Sequence, residues 1–263
     1  MNGELMERTL PKHPEQSYFL YAPTQMGQDA KLLVSVHGLG RDARSHAQQL
    51  VPWAERYGVV LLAPYFPADR FPDYQFLGAT GKGERPDYVL EPLLADAREL
   101  TGAHIERFYM HGFSAGAQFG HRYTMAYPDR VVKLVAGAAG YYTFPDRGMA
   151  FPGGVLPVAG LPDISMRPEQ FLRVPALVYV GERDTDRTSS LNQEPGVDEQ
   201  QGLTRVERGR RWSETMRSAA AGSGYDTEYR YVTVPDAGHS LAQCLAHDET
   251  DLGKQMFDFL FAG

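Results

Sequence analysis

Short apolar runs alternate with helical patterns along most of the chain, and this alternation constrains the fold more than any other feature. The apolar runs predict strands over residues 17–21, 31–37, 59–66, 107–113, 131–136, 176–180 and 227–234, with 17–21 at a sheet edge. Helical patterns cover residues 43–57, 87–100, 115–127, 203–221 and 249–261. Strands that alternate with helices form a mostly parallel sheet with helices on both faces. Because most of the runs are apolar throughout, we expect the sheet to be buried on both faces.

The predicted helix over residues 87–100 contains Pro92. A stripe of apolar side chains that includes Leu90, Leu93 and Leu94 supports the helix. Proline lacks the N–H group that a helix interior requires. The helix is therefore expected either to begin near Glu91, with Pro92 in its first turn, or to bend at Pro92.

The length of 263 residues is sufficient for a large buried core. We expect one α/β domain over residues 1–263, with an active-site loop insertion at about 139–173. Two further long loops are predicted over 67–85 and 185–202, and all three should leave the carboxyl ends of strands. Ligands bind at that edge of an open parallel sheet. The formal net charge of −7 argues against a nucleic-acid partner.

Cysteine usage and hydropathy bear on the compartment. Cys244 is the one cysteine, so no intrachain disulfide can form, which favours a reducing compartment. Residues 1–14 carry several charges and no apolar core, so we expect no signal peptide. No apolar stretch approaches the ~18 residues that a membrane span needs. These features predict a cytoplasmic protein that does not associate with membranes.

The motif Gly112-Phe-Ser-Ala-Gly116 lies between a predicted strand and a predicted helix. This G-x-S-x-G pattern is typical of a tight turn that projects a nucleophilic serine above a sheet. Bulky side chains at the two glycine positions would collide with neighbouring elements. Ser114 is therefore the predicted nucleophile, and a serine here favours acyl transfer.

A serine needs a neighbouring base, and histidine is suited to that role near neutral pH. Of the eight histidines, His239 alone follows a late strand, where Gly238 permits the turn that brings its ring to the sheet edge. Asp184 completes a G-x-x-D pattern after the strand that ends at Val180, and it is the predicted acid that orients His239. Asp186 is the alternative acid.

The oxyanion hole and the pocket are predicted from the loops that follow the strands. His37-Gly-Leu-Gly40 closes an early strand, and the backbone N–H groups of Leu39 and Ala115 are the predicted oxyanion donors. Aromatic residues in two of the long loops are candidates for the substrate pocket, although core packing is an equal alternative for the second group: Tyr74 and Phe76, then Tyr141, Tyr142 and Phe144.

Other motifs narrow the chemistry. The sequence contains no Cys/His cluster with zinc-ligand spacing, no Walker-type loop and no G-x-G-x-x-G, so we expect neither a metal nor a cofactor. A helix rich in arginine is predicted to present a solvated face with some ion pairs, formed by Arg205, Arg208, Arg210, Arg211 and Arg217.

The motifs HGLG, GFSAG, GERD and AGH occur in the order and context of the α/β-hydrolase superfamily. The resemblance covers residues 17–261 and is strongest to bacterial esterases described as polyhydroxybutyrate-depolymerase-like or dienelactone-hydrolase-like. It implies a serine esterase that acts on a small-molecule acyl ester. The chain departs from secreted depolymerases because it has no evident export signal or polymer-binding domain. It departs from dienelactone hydrolases because its nucleophile is serine rather than cysteine.

Several alternatives stay open. A serine peptidase on the same scaffold would use the same triad, and a non-catalytic binding protein could retain the fold. A perhydrolase or acyltransferase would use an acceptor other than water. The oligomeric state, the acyl group and the alcohol are not predicted.

Overall fold

The computed structural model describes residues 2–27 and 29–262. The strands are β1 (Leu5–Leu10), β2 (His13–Tyr21), β3 (Leu32–Val36), β4 (Val60–Pro64), β5 (Phe108–Phe113), β6 (Val131–Gly137), β7 (Ala176–Gly181) and β8 (Tyr229–Val234). The helices are α1 (Ala43–Gln48), α2 (Val51–Tyr57), α3 (Pro86–Thr101), α4 (Ala115–Ala126), α5 (Pro168–Phe171), α6 (Pro195–Gln201), α7 (Arg205–Gly222), α8 (Leu241–Leu245) and α9 (Leu252–Phe261). A 3₁₀ turn covers Tyr74–Phe76.

The strands form one eight-stranded sheet in the order β1-β2-β4-β3-β5-β6-β7-β8. β1 pairs with β2, and β2 with β4, in antiparallel fashion. Every pair from β4 to β8 is parallel. The carboxyl ends of these six strands therefore lie along a single edge of the sheet.

Both faces of the sheet are covered, as the apolar runs predict. In β3, Leu32 and Val34 pack into one core cluster, with Phe119 of α4. Leu33 packs into a second cluster, with Phe257 of α9. Successive residues of a strand point to opposite faces, so the two clusters lie on opposite sides of the sheet. No helix in residues 2–27 and 29–262 combines the length and apolarity needed to cross a membrane.

Two local predictions differ from the structure. The segment predicted as an edge strand is part of β2, and the true edge is β1, whose mixture of charged and apolar residues gave no buried-strand signal. The helix predicted over 43–57 is divided into α1 and α2, with Pro52 at the start of α2. Proline fits the first turn of a helix because the N–H that it lacks would have no partner there.

Of the two expectations for the helix that contains Pro92, a start near Glu91 is wrong. α3 starts at Pro86 and continues through Pro92. Pro92 cannot donate to the carbonyl of Tyr88, four residues earlier, but Tyr88 is 57% exposed, so water can reach that group. An exposed position therefore lets the helix accommodate a proline in its interior.

The three long loops all leave the carboxyl edge of the parallel strands, as predicted. The loop over 67–85 follows β4, the loop over 139–173 follows β6, and the loop over 185–202 follows β7. The helical elements of the first two are the 3₁₀ turn and the four-residue α5. Neither loop forms a long helical cap.

Candidate active site

Ser114 occupies the sharp turn between β5 and α4. Its backbone has φ 56° and ψ −118°, a conformation that strains any residue with a side chain. A Cβ atom on Gly112 would lie 2.2 Å from the Gly116 carbonyl oxygen, and one on Gly116 would lie 1.9 Å from the Val36 carbonyl oxygen. Only glycine permits these approaches, which give the turn its tight geometry.

His239 and Asp184 meet Ser114 at the carboxyl edge of the sheet. His239 Nε2 lies 2.9 Å from Ser114 Oγ. His239 Nδ1 lies 2.6 Å from Asp184 Oδ2. A histidine protonated on Nδ1 donates to Asp184 and accepts from the serine hydroxyl, which is the tautomer a general base needs. Asp184 is 2% exposed, whereas Asp186 is an exposed loop residue that makes no contact with the histidine in the described structure.

The loops that carry Asp184 and His239 are joined just beyond the ends of β7 and β8. A Cβ atom on Gly181 would lie 2.3 Å from the Ala237 carbonyl oxygen, so this position needs glycine. The Arg183 N–H donates to the same carbonyl at 2.9 Å. The glycine of the G-x-x-D pattern thus allows the close packing that brings the acid to the base.

The predicted oxyanion donors flank the serine. Ala115 begins α4, where backbone N–H groups have no partner within the helix. On the other side, a Cβ atom on Gly38 would lie 3.5 Å from the Cβ of Ser114, so the loop that carries Leu39 is adjacent to the nucleophile. Leu39 is 44% exposed.

His37 fixes the turn over residues 37–40, which carries the predicted oxyanion donor Leu39. Its Nε2 accepts from the Phe66 N–H at 3.1 Å, and its Nδ1 donates to the Gly38 carbonyl at 2.8 Å. Burial lowers the pKa of His37 to about 4, so the ring is neutral and can make both bonds. The Tyr74 hydroxyl donates to the His37 carbonyl at 2.7 Å, which fixes the same turn.

The structure places three of the five pocket candidates in the core, which for Tyr142 and Phe144 is the alternative that the sequence left open. Tyr74, Tyr142 and Phe144 are buried, and their rings pack in the core. Phe76 and Tyr141 are half-buried and meet edge to face with ring centroids 6.3 Å apart. Aromatic content marks a loop as well packed, but it does not distinguish rings that face solvent from rings that face the core.

The segment that follows β6 is held rigidly by buried side chains. The buried guanidinium of Arg122 donates to the Tyr141 carbonyl at 3.1 Å and to the Gln75 carbonyl at 2.7 Å, so it links two of the long loops. The other bonds to the segment come from further buried side chains, namely Arg208 to the Gly140 carbonyl, Gln201 to both backbone groups of Tyr142, His121 to the Thr143 N–H and Trp212 to the Thr143 carbonyl. These hydrogen bonds therefore hold the backbone of residues 140–143 in place beside the active edge.

The arginine-rich helix is only partly a solvated face. Arg210, Arg211 and Arg217 are exposed, as predicted, but Arg205 and Arg208 are buried. Arg208 donates to Asp198 at 2.7 Å, and Arg205 donates to Asp184 at 3.2 Å. The prediction was wrong for these two residues because their partners lie outside α7, in α6 and in the loop after β7, and the local charge pattern does not identify them.

No protein-family model matches the chain, and no curated protein matches it. Several solved structures, however, are similar to it. Poly(aspartic acid) hydrolase-1 from Sphingomonas sp. KT-1 is 25% identical, with a TM-score of 0.79 over 97% of this chain and 98% of that one. LpqC, a poly(3-hydroxybutyrate) depolymerase from Bordetella parapertussis, is 23% identical, with a TM-score of 0.73 over 97% and 94%.

A third structure, an S-formylglutathione hydrolase from Agrobacterium tumefaciens, is 16% identical, with a TM-score of 0.61 over 95% of this chain and 94% of that one. These likenesses extend over nearly the whole chain. The sheet order and the solved structures together show that the chain has the α/β-hydrolase fold, which confirms the resemblance indicated by its motifs.

Proposed function

We propose that the chain is a serine hydrolase that cleaves carboxylic esters through an acyl-enzyme on Ser114. The observation that carries the proposal is the hydrogen-bonded series from Ser114 through His239 to the buried Asp184. The serine lies on a strained turn, and strained backbone of this kind is common at catalytic residues. The fold alone would not support the assignment, because one fold hosts many functions.

The geometry supports a two-step reaction. Ser114 Oγ attacks the ester carbonyl carbon while its proton passes to His239 Nε2, and the carbonyl oxygen becomes an oxyanion between the N–H groups of Leu39 and Ala115. The C–O bond then breaks, and the leaving alcohol takes the proton from His239. Water attacks the acyl-enzyme with His239 again as the base, which releases the acid and restores Ser114.

The substrate we propose is a small-molecule acyl ester. The His239 side chain is 31% exposed, so the reacting atoms are accessible from solvent without the opening of a long cap. Leu39, Phe76 and Tyr141 are exposed or half-buried apolar side chains of the surrounding loops, and they are our candidates for contact with an acyl chain.

The test is covalent labelling followed by a substrate panel. A fluorophosphonate probe should react with the protein, and mass spectrometry should locate the adduct on Ser114. A folded protein that does not react, or that reacts elsewhere, would refute the proposal and favour a non-catalytic binding protein.

Hydrolysis of p-nitrophenyl esters of increasing acyl length should then exceed hydrolysis of aminoacyl amides. The reverse preference would favour the peptidase alternative. Poly(3-hydroxybutyrate) and poly(aspartic acid) belong in the panel because two of the similar structures are named for them.

The orienting acid can be tested with a matched pair. Asp184→Asn should lower kcat by about 10⁴-fold, because an amide at this position selects the wrong histidine tautomer and cannot stabilise the imidazolium. Asp186→Asn should change kcat less than about twofold, since Asp186 is exposed and the change is on the surface. Steady-state kinetics at neutral pH checks both variants. A crippled Asp186→Asn beside a nearly normal Asp184→Asn would overturn the assignment of the acid and leave Ser114 and His239 in place.

A further inference from the structure

A buried arginine contacts the proposed triad acid from the side opposite the histidine. Arg205, in the first turn of α7, donates from Nη1 to Asp184 Oδ1 at 3.2 Å. The two side chains are 2% and 1% exposed. The other carboxylate oxygen, Oδ2, bonds to His239 Nδ1. Arg205 therefore binds one oxygen of the Asp184 carboxylate, and His239 binds the other.

Arg205 is itself held in place by the loop over 185–202. Its Nη2 donates to Ser190 Oγ at 2.9 Å. Its Nε is buried and has no hydrogen-bond partner in the described part of the chain. Nε faces Gly140, where an added Cβ atom would lie 3.7 Å away. The guanidinium thus directs its two terminal nitrogens to Asp184 and Ser190.

The burial of both charges indicates that the contact with Asp184 is not incidental. A buried charge is tolerated only when it is paired. Asp184 is the one carboxylate that the described structure places within salt-bridge distance of Arg205. The pair therefore persists because each charge compensates the burial of the other.

We infer that Arg205 is a positioning residue for the proposed reaction, which acts by fixing the plane and the charge of the Asp184 carboxylate. It touches neither Ser114 nor the substrate position. With Oδ1 bound to Arg205, Oδ2 is aligned with His239 Nδ1 and cannot turn away. The inference rests on the proposed triad. It adds a fourth residue, and through Ser190 it couples the loop over 185–202 to the reactivity of Ser114.

The readout is the rate at which a fluorophosphonate probe labels Ser114, because this rate reports nucleophilicity without a known substrate. Arg205→Met should slow labelling about 10- to 100-fold, the range expected when a hydrogen bond to a charged group is lost.

Arg205→Lys keeps the charge and should recover part of the rate. Arg205→Gln removes the charge but can still donate a hydrogen bond, and it replaces the methionine variant if that variant does not fold. Arg210→Met, an exposed change on the same helix, should label at the wild-type rate.

A double-mutant cycle separates positioning from general damage to the fold. If Arg205 acts through the Asp184 carboxylate, Arg205→Met should slow labelling less than about twofold when it is added to Asp184→Asn. Losses that multiply in the double variant would overturn the inference, as would wild-type labelling of folded Arg205→Met or Arg205→Gln. Wild-type protein that does not label would instead refute the proposed function, and the inference with it. With an ester that the wild type turns over, Arg205→Met should lower kcat and leave KM nearly unchanged.

Discussion

Ser114→Ala is expected to lower ester hydrolysis by about 10⁶-fold, the size of the loss when the serine of such a triad is removed. The hydroxyl is the group that attacks the carbonyl, and no other side chain in the described site can replace it at the same position. The protein should remain folded, because the hydroxyl makes one hydrogen bond, to His239, and the methyl group fits where Cβ already lies. Kinetics with a p-nitrophenyl ester and a circular dichroism spectrum check both expectations. Activity within about tenfold of the wild type would place the reaction elsewhere.

Ser114→Gly provides the companion variant. It should be as inactive as Ser114→Ala but more stable, because glycine adopts φ 56° without the strain that a Cβ atom imposes. Strain of this kind costs about 1–3 kcal/mol, and the greater chain entropy of unfolded glycine offsets about 0.5–1 kcal/mol of the gain. The expected net gain is about 1 kcal/mol in the free energy of unfolding, measured by urea denaturation against Ser114→Ala. A Ser114→Gly variant that is less stable than Ser114→Ala by about 0.5–1 kcal/mol would show that the turn at Ser114 is not strained.

The positions of Ser114 and His239 could be predicted because local rules determine them. A parallel sheet places the carboxyl ends of its strands at one edge, so residues that follow different strands converge there. The glycines at 112 and 116 then identify Ser114, and Gly238 identifies the turn before His239. Each of these signals is contained within a few consecutive residues.

Arg205 could not be predicted in the same way. Its partner Asp184 lies 21 residues earlier, across the loop over 185–202. The sequence of α7 shows several arginines at similar spacing, and only the packing of the loops against the helix decides which are buried. The same reason applies to Tyr74, whose hydroxyl reaches the His37 carbonyl 37 residues away. Contacts of this kind depend on tertiary packing, which local pattern does not encode.

Buried histidines make the fold sensitive to acid. His37, His46, His111 and His121 are all buried. Burial lowers the pKa of His37 to about 4 and of His111 to about 3, and it lowers the pKa of His46 and His121 well below the usual 6.5. His46 and His111 also share the Ser35 hydroxyl, at 2.8 and 2.7 Å, with stacked rings 5.5 Å apart. Two imidazolium ions at that separation would repel each other.

The direction of the pH effect follows from these lowered pKa values. Above pH 6.5 the four rings are neutral in both the folded and the unfolded chain, and their contribution to stability is complete. As the pH falls below 6.5, the unfolded chain binds four protons that the folded chain excludes, so the free energy of unfolding decreases. His37 and His111 each contribute a loss of about 2 kcal/mol between pH 6.5 and 4.5, and His46 and His121 add losses in the same direction. Domains are typically stable by about 5–15 kcal/mol, so a large part of the stability should be lost by pH 4.5.

Urea denaturation at intervals from pH 7.5 to 4.5 measures this loss, and the slope distinguishes its source. His46→Gln should reduce the dependence on pH by about 1.4 kcal/mol per pH unit, one proton's share, whatever it costs in contacts at neutral pH. His13→Gln, at an exposed position, should leave the slope unchanged. A free energy of unfolding that stays constant between pH 6.5 and 4.5 would mean that the buried rings gain protons without unfolding. The slope depends on the number of protons that the chain takes up on unfolding and not on the contacts that are lost. A variant that is merely less stable would therefore keep the wild-type slope.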